Sequence, residues 1–410
     1  MQDINSISYK TNTWFFFSLL YLVVDYGRPQ DILPIAVLRP AMVVILVLLY
    51  YLVTNNGISR SNSKQTKLIW YFVILTAMYI PFAVNNYWAL QTTRNMLTYM
   101  PFILSTIILV NSVKRLKKII TVYIALMIYI ALYSISHDGM GSGNYFLDEN
   151  DVALYLNIWL PFCFLFFIYE KGKYAKLFYA IGLIVGLAAI VISFSRGGFV
   201  GLLGVAAVIW YYSPKKLLSL LIILIAGSLI YILAGEKYIN EMSTVTDTNE
   251  GTAQTRIKSW ESAWDMFIDN PLGVGGNNFQ TRFPDYQSDR FERGMAGRVA
   301  HSLWFTLIPE LGIFGILIYF SLLYYNFRDI FYLKNIKIND KPDLHYLHIL
   351  SIALIAALAG FFASASFLSV LYYPHYWYLT ALIIATKNIS HLYINQKTHI
   401  ASTNSFTGQQ

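Results

Sequence analysis

Three residues stand where their type has chemical consequences. Arg196 lies in VISFSRGGFVG (191–201), inside an apolar stretch from 177 to 212 that holds no other charge. An arginine at the centre of a lipid-facing helix costs about 2.5–3.5 kcal/mol on insertion scales. The stretch also exceeds the roughly 20 residues one span needs. It therefore divides into two helices, with Ser195, Arg196, Gly197 and Gly198 forming the turn between them. The glycine pair permits a sharp turn and close backbone approach. The free N–H groups opening the second helix face the same place as the guanidinium, which is how an anion site is built. An arginine snorkelling at a membrane boundary accounts for the stretch equally well.

Arg256 belongs to TRIKSWESAWDMFIDNP (255–271), where Arg256, Trp260, Trp264 and Phe267 share one helical stripe that ends at a proline. The pattern reads as a helix lying in the membrane interface, or as one packed on protein. In both cases a cation on an aromatic face must find a partner. His301 opens HSLWFTLIPELGIFG (301–315) at the mouth of an apolar run. A histidine titrates near neutral pH and suits general-base work, yet histidines also occur as amphipathic boundary residues.

Other polar groups near the same face are weighed with these. Arg39 and Arg94 fall at or just inside the ends of the second and fourth apolar runs. Ionisable residues in such places are functional candidates, with ion pairs to Asp25 or Asp31 as the structural alternative. In FLDENDVALYLNIWLPF (146–162), Asp148 and Glu149 read as a helix N-cap, while Asn150 and Asp151 stay open as site residues. His137 and His375 have no supporting pattern. PLGVGGNNF (271–279) is a glycine-rich turn with no preceding strand, so a dinucleotide-binding reading fails. No Walker, Asp-x-Asp, His-Glu-x-x-His or Gly-x-Ser-x-Gly motif occurs. A nucleotide-driven pump and a metalloprotease are both disfavoured. No metal and no cofactor is expected.

The elements that must position these groups are membrane helices. Of 410 residues, 56% are hydrophobic and only 13% charged, against about 25% charged in soluble domains. Apolar runs fall at 13–25, 32–53, 68–84, 95–111, 119–136, 152–169, 177–194, 197–212, 217–234, 301–325, 344–369 and 372–386. The expected fold is thus an all-α polytopic membrane protein, residues 1–410 forming one integral membrane domain of about 12 transmembrane helices. Twelve spans put both termini on one side. Lys64 and Lys67, Lys114 to Lys118, Lys171 to Lys176, Lys215 and Lys216, and Arg328 to Lys341 gather on that side, which the positive-inside rule makes cytoplasmic. The net charge of +8 is therefore topology, and no nucleic-acid partner is expected. The first run precedes Asp25, Arg28 and Pro29 without a small-residue cleavage site, so it is expected to remain as a helix. The lone cysteine, Cys163, excludes an internal disulfide. Residues 235–300 form a large helical loop on the exported, periplasmic side.

Arg196 in SFSRGG, Arg256 in TRIKSWESAWDMFIDNPLGVGGNNF and His301 in HSLWFTLIPELGIFG together resemble the bacterial O-antigen ligase and O-antigen polymerase superfamily. The resemblance covers about residues 150–320, in that order and all on the exported face. The early YGRPQDILPIAVLRP is similar to segments of members linked to polysaccharide export. The resemblance implies an integral-membrane glycosyltransferase of the C type in the bacterial inner membrane, working without nucleotide or metal. Its donor would be a polyprenyl-diphosphate-linked glycan. Its acceptor would be the lipid A core in a ligase, or a second lipid-linked glycan in a polymerase. Carried over residue by residue, Arg196 and Arg256 match the donor-binding arginines and His301 the proposed base. A lipid-glycan transporter would instead show internal repeats and midplane charges. A non-catalytic assembly subunit would leave the three residues without joint purpose.

Overall fold

The computed structural model describes residues 4–33, 35–143, 145–213, 215–233, 251–287, 297–337 and 342–407. Fourteen helices of eight residues or more occur among them: α1 (Ile4–Tyr26), α2 (Pro40–Thr54), α3 (Lys64–Met78), α4 (Asn86–Leu109), α5 (Val113–Ser136), α6 (Glu149–Tyr169), α7 (Lys173–Ile192), α8 (Arg196–Tyr212), α9 (Lys216–Leu233), α10 (Gly251–Asp269), α11 (Phe279–Tyr286), α12 (Leu303–Lys334), α13 (Pro342–Ala365) and α14 (Pro374–Thr407). No strand occurs among the described residues. Each apolar run read from the sequence lies on a helix, with shifted ends. Helix α3 stops at Met78 because Ile80 precedes Pro81 and residues before proline avoid the helical region. Helix α4 begins well before its apolar part, at the Asn85 cap whose side chain accepts from Trp88 N. Hydropathy does not register that polar first turn.

Six helical stretches are long and apolar enough to cross a membrane: Ala36–Thr54, α5, α6, α7, α12 and α13. The outward faces of α2 and α7 expose Val43, Leu46, Tyr50, Val53, Ile181 and Ile184. An apolar surface of that extent suits lipid and not water. The described residues are all-helical, and the chain is an integral membrane protein.

Helices α6 and α13 are buried along most of their length, as helices apolar on every side must be. Helix α8 packs against both through small residues. A Cβ at Gly198 would lie 2.5 Å from Ala153 Cβ, and one at Gly201 would lie 2.0 Å from Ser364 Oγ. These glycines let backbones approach, as small residues do between membrane helices. The expectation for Gly197 and Gly198 is corrected here: both sit inside the first turn of α8, and the left-handed residue of the α7–α8 turn is Phe194 (φ 48).

Basic residues on several helices and one loop lie at one end of the bundle. Lys117 lies 4.7 Å over the Tyr346 ring, Lys334 lies 4.4 Å over Tyr212, and Lys215 lies 5.8 Å over Tyr169. Buried Asp329 accepts from Lys387 at 2.9 Å and from Gln65 at 2.6 Å. The other end carries α10, α11 and the starts of α6, α8 and α12. Within the 235–300 loop, the described residues are 251–287 and 297–300; the rest lie outside them.

Candidate active site

Two helix starts are tied together by side chains. Ser195 caps α8: its Oγ accepts from Gly198 N at 2.9 Å and donates to Asn150 Oδ1 at 2.6 Å. The Asn150 amide donates to Asp148 Oδ1 at 2.6 Å, and Asp148 caps α6 by accepting from Asn150 N at 2.7 Å. Asp148 is thus the N-cap its sequence suggests, and Asn150 is the bridge to α8. Deeper down, Asn157 Nδ2 donates to Gly198 O at 2.8 Å and to Ser364 Oγ at 3.1 Å. Arg196, half-buried, is the first residue of this braced helix. Its position at the positive dipole end of α8 favours an anion.

Helix α10 brings Arg256 to the same place. Its buried face is Ser259, Ser262, Ala263 and Met266, not the aromatic stripe. Trp260 flanks that face, stacking on Phe305 at 5.2 Å and donating from Nε1 to Ala300 O at 2.9 Å. Trp264 stays exposed against Phe267. Protein packing therefore holds this helix at Trp260. The Arg256 guanidinium sits 6.0 Å from the centre of the Phe367 ring. Phe367 in turn lies beside Gly197, 3.5 Å from where its Cβ would be. One ring thus separates Arg256 from the residue after Arg196.

His301 precedes the Ser302 cap of α12, whose side chain accepts from Phe305 N. Its backbone is left-handed (φ 47), an uncommon conformation outside glycine, and it turns the chain sharply into the helix. Its imidazole is half-buried. Burial pushes the ring down to about 4, and the charges of Arg256 and Arg298 push the same way, with Asp148 opposing them. Arg256, Arg298 and Asp148 therefore all act on this imidazole, which stays neutral at working pH.

A cavity of about 300 Å³ opens beside His301, lined among others by Asp148, Asp151, Thr306, Glu310 and Tyr373. Asp151 is buried and lies 3.4 Å from the Tyr373 hydroxyl. Glu310 is a buried carboxylate on which donors converge: Asn277 N at 2.8 Å, Phe279 N at 3.1 Å and Tyr372 OH at 2.7 Å. The glycine-rich segment 271–279 is consequently held against a break in α12. Val274 N donates to Pro309 O at 2.9 Å, Gly275 N to Glu310 O at 2.8 Å, and Ile313 N to Pro271 O at 3.0 Å. Gly312 makes the break, with φ 56 and ψ −158.

The structure gathers Arg196, Arg256, His301 and Asp151 around one end of the bundle. It leaves Arg39 and Arg94 exposed and outside the cavity lining. The expected partners of those two arginines are engaged elsewhere: Asp31 pairs with Arg28 at 2.6 Å, and Asp25 accepts from Tyr378 at 3.2 Å. His137 stacks on Tyr133 at the exposed end of α5. His375 is buried, with Nδ1 2.9 Å from the Tyr26 hydroxyl. Sequence reading missed Glu310, Arg298 and Tyr373. For Glu310 the signal was present: a lone carboxylate in an apolar run is a functional candidate by default.

The family model described as O-antigen ligase matches residues 181–320. No curated protein sequence matches the chain. The matched stretch runs from α7 to the middle of α12 and carries Arg196, Arg256, His301 and Glu310. Over residues 181–320 the chain is therefore similar to the O-antigen ligase family.

Proposed function

We propose that the protein is a glycosyltransferase that moves a glycan en bloc from a polyprenyl-diphosphate carrier to the lipid A core, on the periplasmic face of the bacterial inner membrane. The observation that carries this reading is the convergence of Arg196, Arg256 and a neutral His301 at one end of an apolar bundle, within the matched domain. The twelve apolar helices are read as spans, which puts the basic end and both termini in the cytoplasm.

The chemistry follows from the groups present. The acceptor hydroxyl gives its proton to His301 as its oxygen bonds to the anomeric carbon. The bond from that carbon to the diphosphate oxygen breaks, and the electron pair leaves with the diphosphate. Arg196, Arg256 and the N–H groups opening α8 hold the charge that develops there. Planar guanidinium groups suit phosphate oxygens through paired hydrogen bonds, and preorganised donors of this kind lower the barrier directly. The proton then passes from His301 to solvent. Metal is not required by this scheme, because the arginines neutralise the leaving group.

The test is a reaction of the purified protein in proteoliposomes with lipid-linked oligosaccharide, with and without lipid A core. Core-linked glycan is the expected product. A lengthened lipid-linked chain would reassign the protein as a polymerase, and no product with either acceptor would reject the proposal.

A further inference from the structure

We infer that the cavity beside His301 is a subsite for a single sugar ring that is uncharged or amino-bearing, and that it rejects a ring carrying a carboxylate or phosphate. This inference rests on the glycan-transfer reading above and names the class of ring that presents the attacking hydroxyl.

The lining carries the argument. Asp148, Asp151 and Glu310 border the cavity, and among the described residues no lysine or arginine does. Carboxyl oxygens accept hydrogen bonds from sugar hydroxyls, and the Tyr373 hydroxyl lies among them, 3.4 Å from Asp151 Oδ2. Ser369 also lines the cavity, and its hydroxyl has no hydrogen-bond partner among the described residues. At about 300 Å³ the volume stands at the lower end of ligand pockets, about 300–1,000 Å³. That accommodates one ring and not an oligosaccharide.

Charge separates this space from the phosphate side. Arg256 and Arg298 act on His301, yet neither lines the cavity. His301 therefore stands between cations on one side and carboxyl groups on the other. An anionic ring would set its charge against Asp148 with no cation among the described lining residues to offset it, and like charges repel more strongly in a site partly withdrawn from water than in bulk. An ammonium group there would be attracted. The same wall keeps a diphosphate from settling in the sugar's place.

The experiment is saturation-transfer difference NMR on the full-length protein in nanodiscs. The probes are methyl glycosides of gluco and galacto configuration, each as the neutral sugar, the 2-amino sugar and the uronic acid. Neutral and amino glycosides should show transfer, and the uronic acids should be at least about tenfold weaker, a preference of the kind opposed charges give. In the Asp148→Asn, Asp151→Asn double variant the uronic acids should gain relative to the neutral sugars. Asparagine caps a helix as well as aspartate, so α6 keeps its start. Equal binding of uronic and neutral sugars, no change in the variant, or no binding of any probe would overturn the inference. Release of polyprenyl diphosphate from lipid-linked oligosaccharide by the wild type, followed in parallel, separates two failures. Release without sugar preference removes the subsite alone, whereas absence of release removes the glycan-transfer reading beneath it.

Discussion

Among the single residues, the cations and the imidazole do different work in the proposed transfer. Arg196→Ala or Arg256→Ala should raise the donor Kd by about tenfold or more, since charged hydrogen bonds contribute about 1.5–3 kcal/mol each. Lysine at either position should restore only part of the loss, because it lacks the planar fork. Donor-binding isotherms check this, and unchanged affinity in both alanine variants would remove the arginines from the site. The imidazole makes a separate prediction about pH. His301 is held down at about 4 by burial, Arg256 and Arg298, against Asp148. The base is the neutral ring, so turnover should persist as pH falls through 6.5 and be lost only as it falls through about 4. Arg298→Gln should move that acid limb upward. The sign for stability is the same. Between pH 6.5 and 4 the unfolded chain binds a proton that the folded ring resists, so folding weakens as pH drops across that window. Arg196, Arg256 and His301 were legible in the sequence because a charge or imidazole amid apolar residues stands out. Glu310 stood out too, as a lone carboxylate in an apolar run, but its role and that of Tyr373 depend on partners about 30 to more than 200 residues away along the chain, such as Asn277 and Asp151.

At the scale of elements, the site depends on three helix starts and one helix break. The starts of α6 and α8 are joined through Asp148, Asn150 and Ser195. Helix α12 is broken at Gly312, and the 271–279 segment pairs with the exposed backbone there. A Cβ on Gly312 would lie 2.3 Å from Leu272 C and 2.4 Å from Pro271 O. Its φ of 56 with ψ of −158 is also a conformation that other residues adopt only at a cost of about 1–3 kcal/mol. Gly312→Ala should therefore lower the thermal midpoint in detergent and detach the segment that donates to Glu310. Thermal unfolding with limited proteolysis near residue 275 reads both effects. An alanine variant as stable and as protease-resistant as the wild type would show that this pairing does not matter. Periodicity and length revealed the helices, including the division of 177–212 into α7 and α8. They did not reveal what the glycines do. Gly198 reads as a turn former in sequence, but its neighbour Ala153 makes it a contact point between helices, as Ser364 does Gly201.

At the scale of the whole molecule, the two ends of the bundle differ in chemistry. One gathers lysines over tyrosine rings, and the other gathers the candidate site. If the lysine end is cytoplasmic, cysteines placed at Gln254 and Lys337, both exposed, should label from opposite sides of intact membranes. The native Cys163 is buried and should stay silent. Labelling of both positions from one side would reject the topology. Composition made the membrane class readable early, because lipid demands long apolar helices; the sidedness proposed from charge bias is what the labelling reads. Whether His301 acts as the base in glycan transfer is read from one comparison. Wild type and His301→Ala are reconstituted with lipid-linked oligosaccharide and acceptor, and donor binding and transfer rate are measured on the same samples. Donor affinity should stay near wild type while transfer slows by about 10²–10⁴-fold, the usual contribution of a general base. Transfer by His301→Ala at the wild-type rate would contradict it.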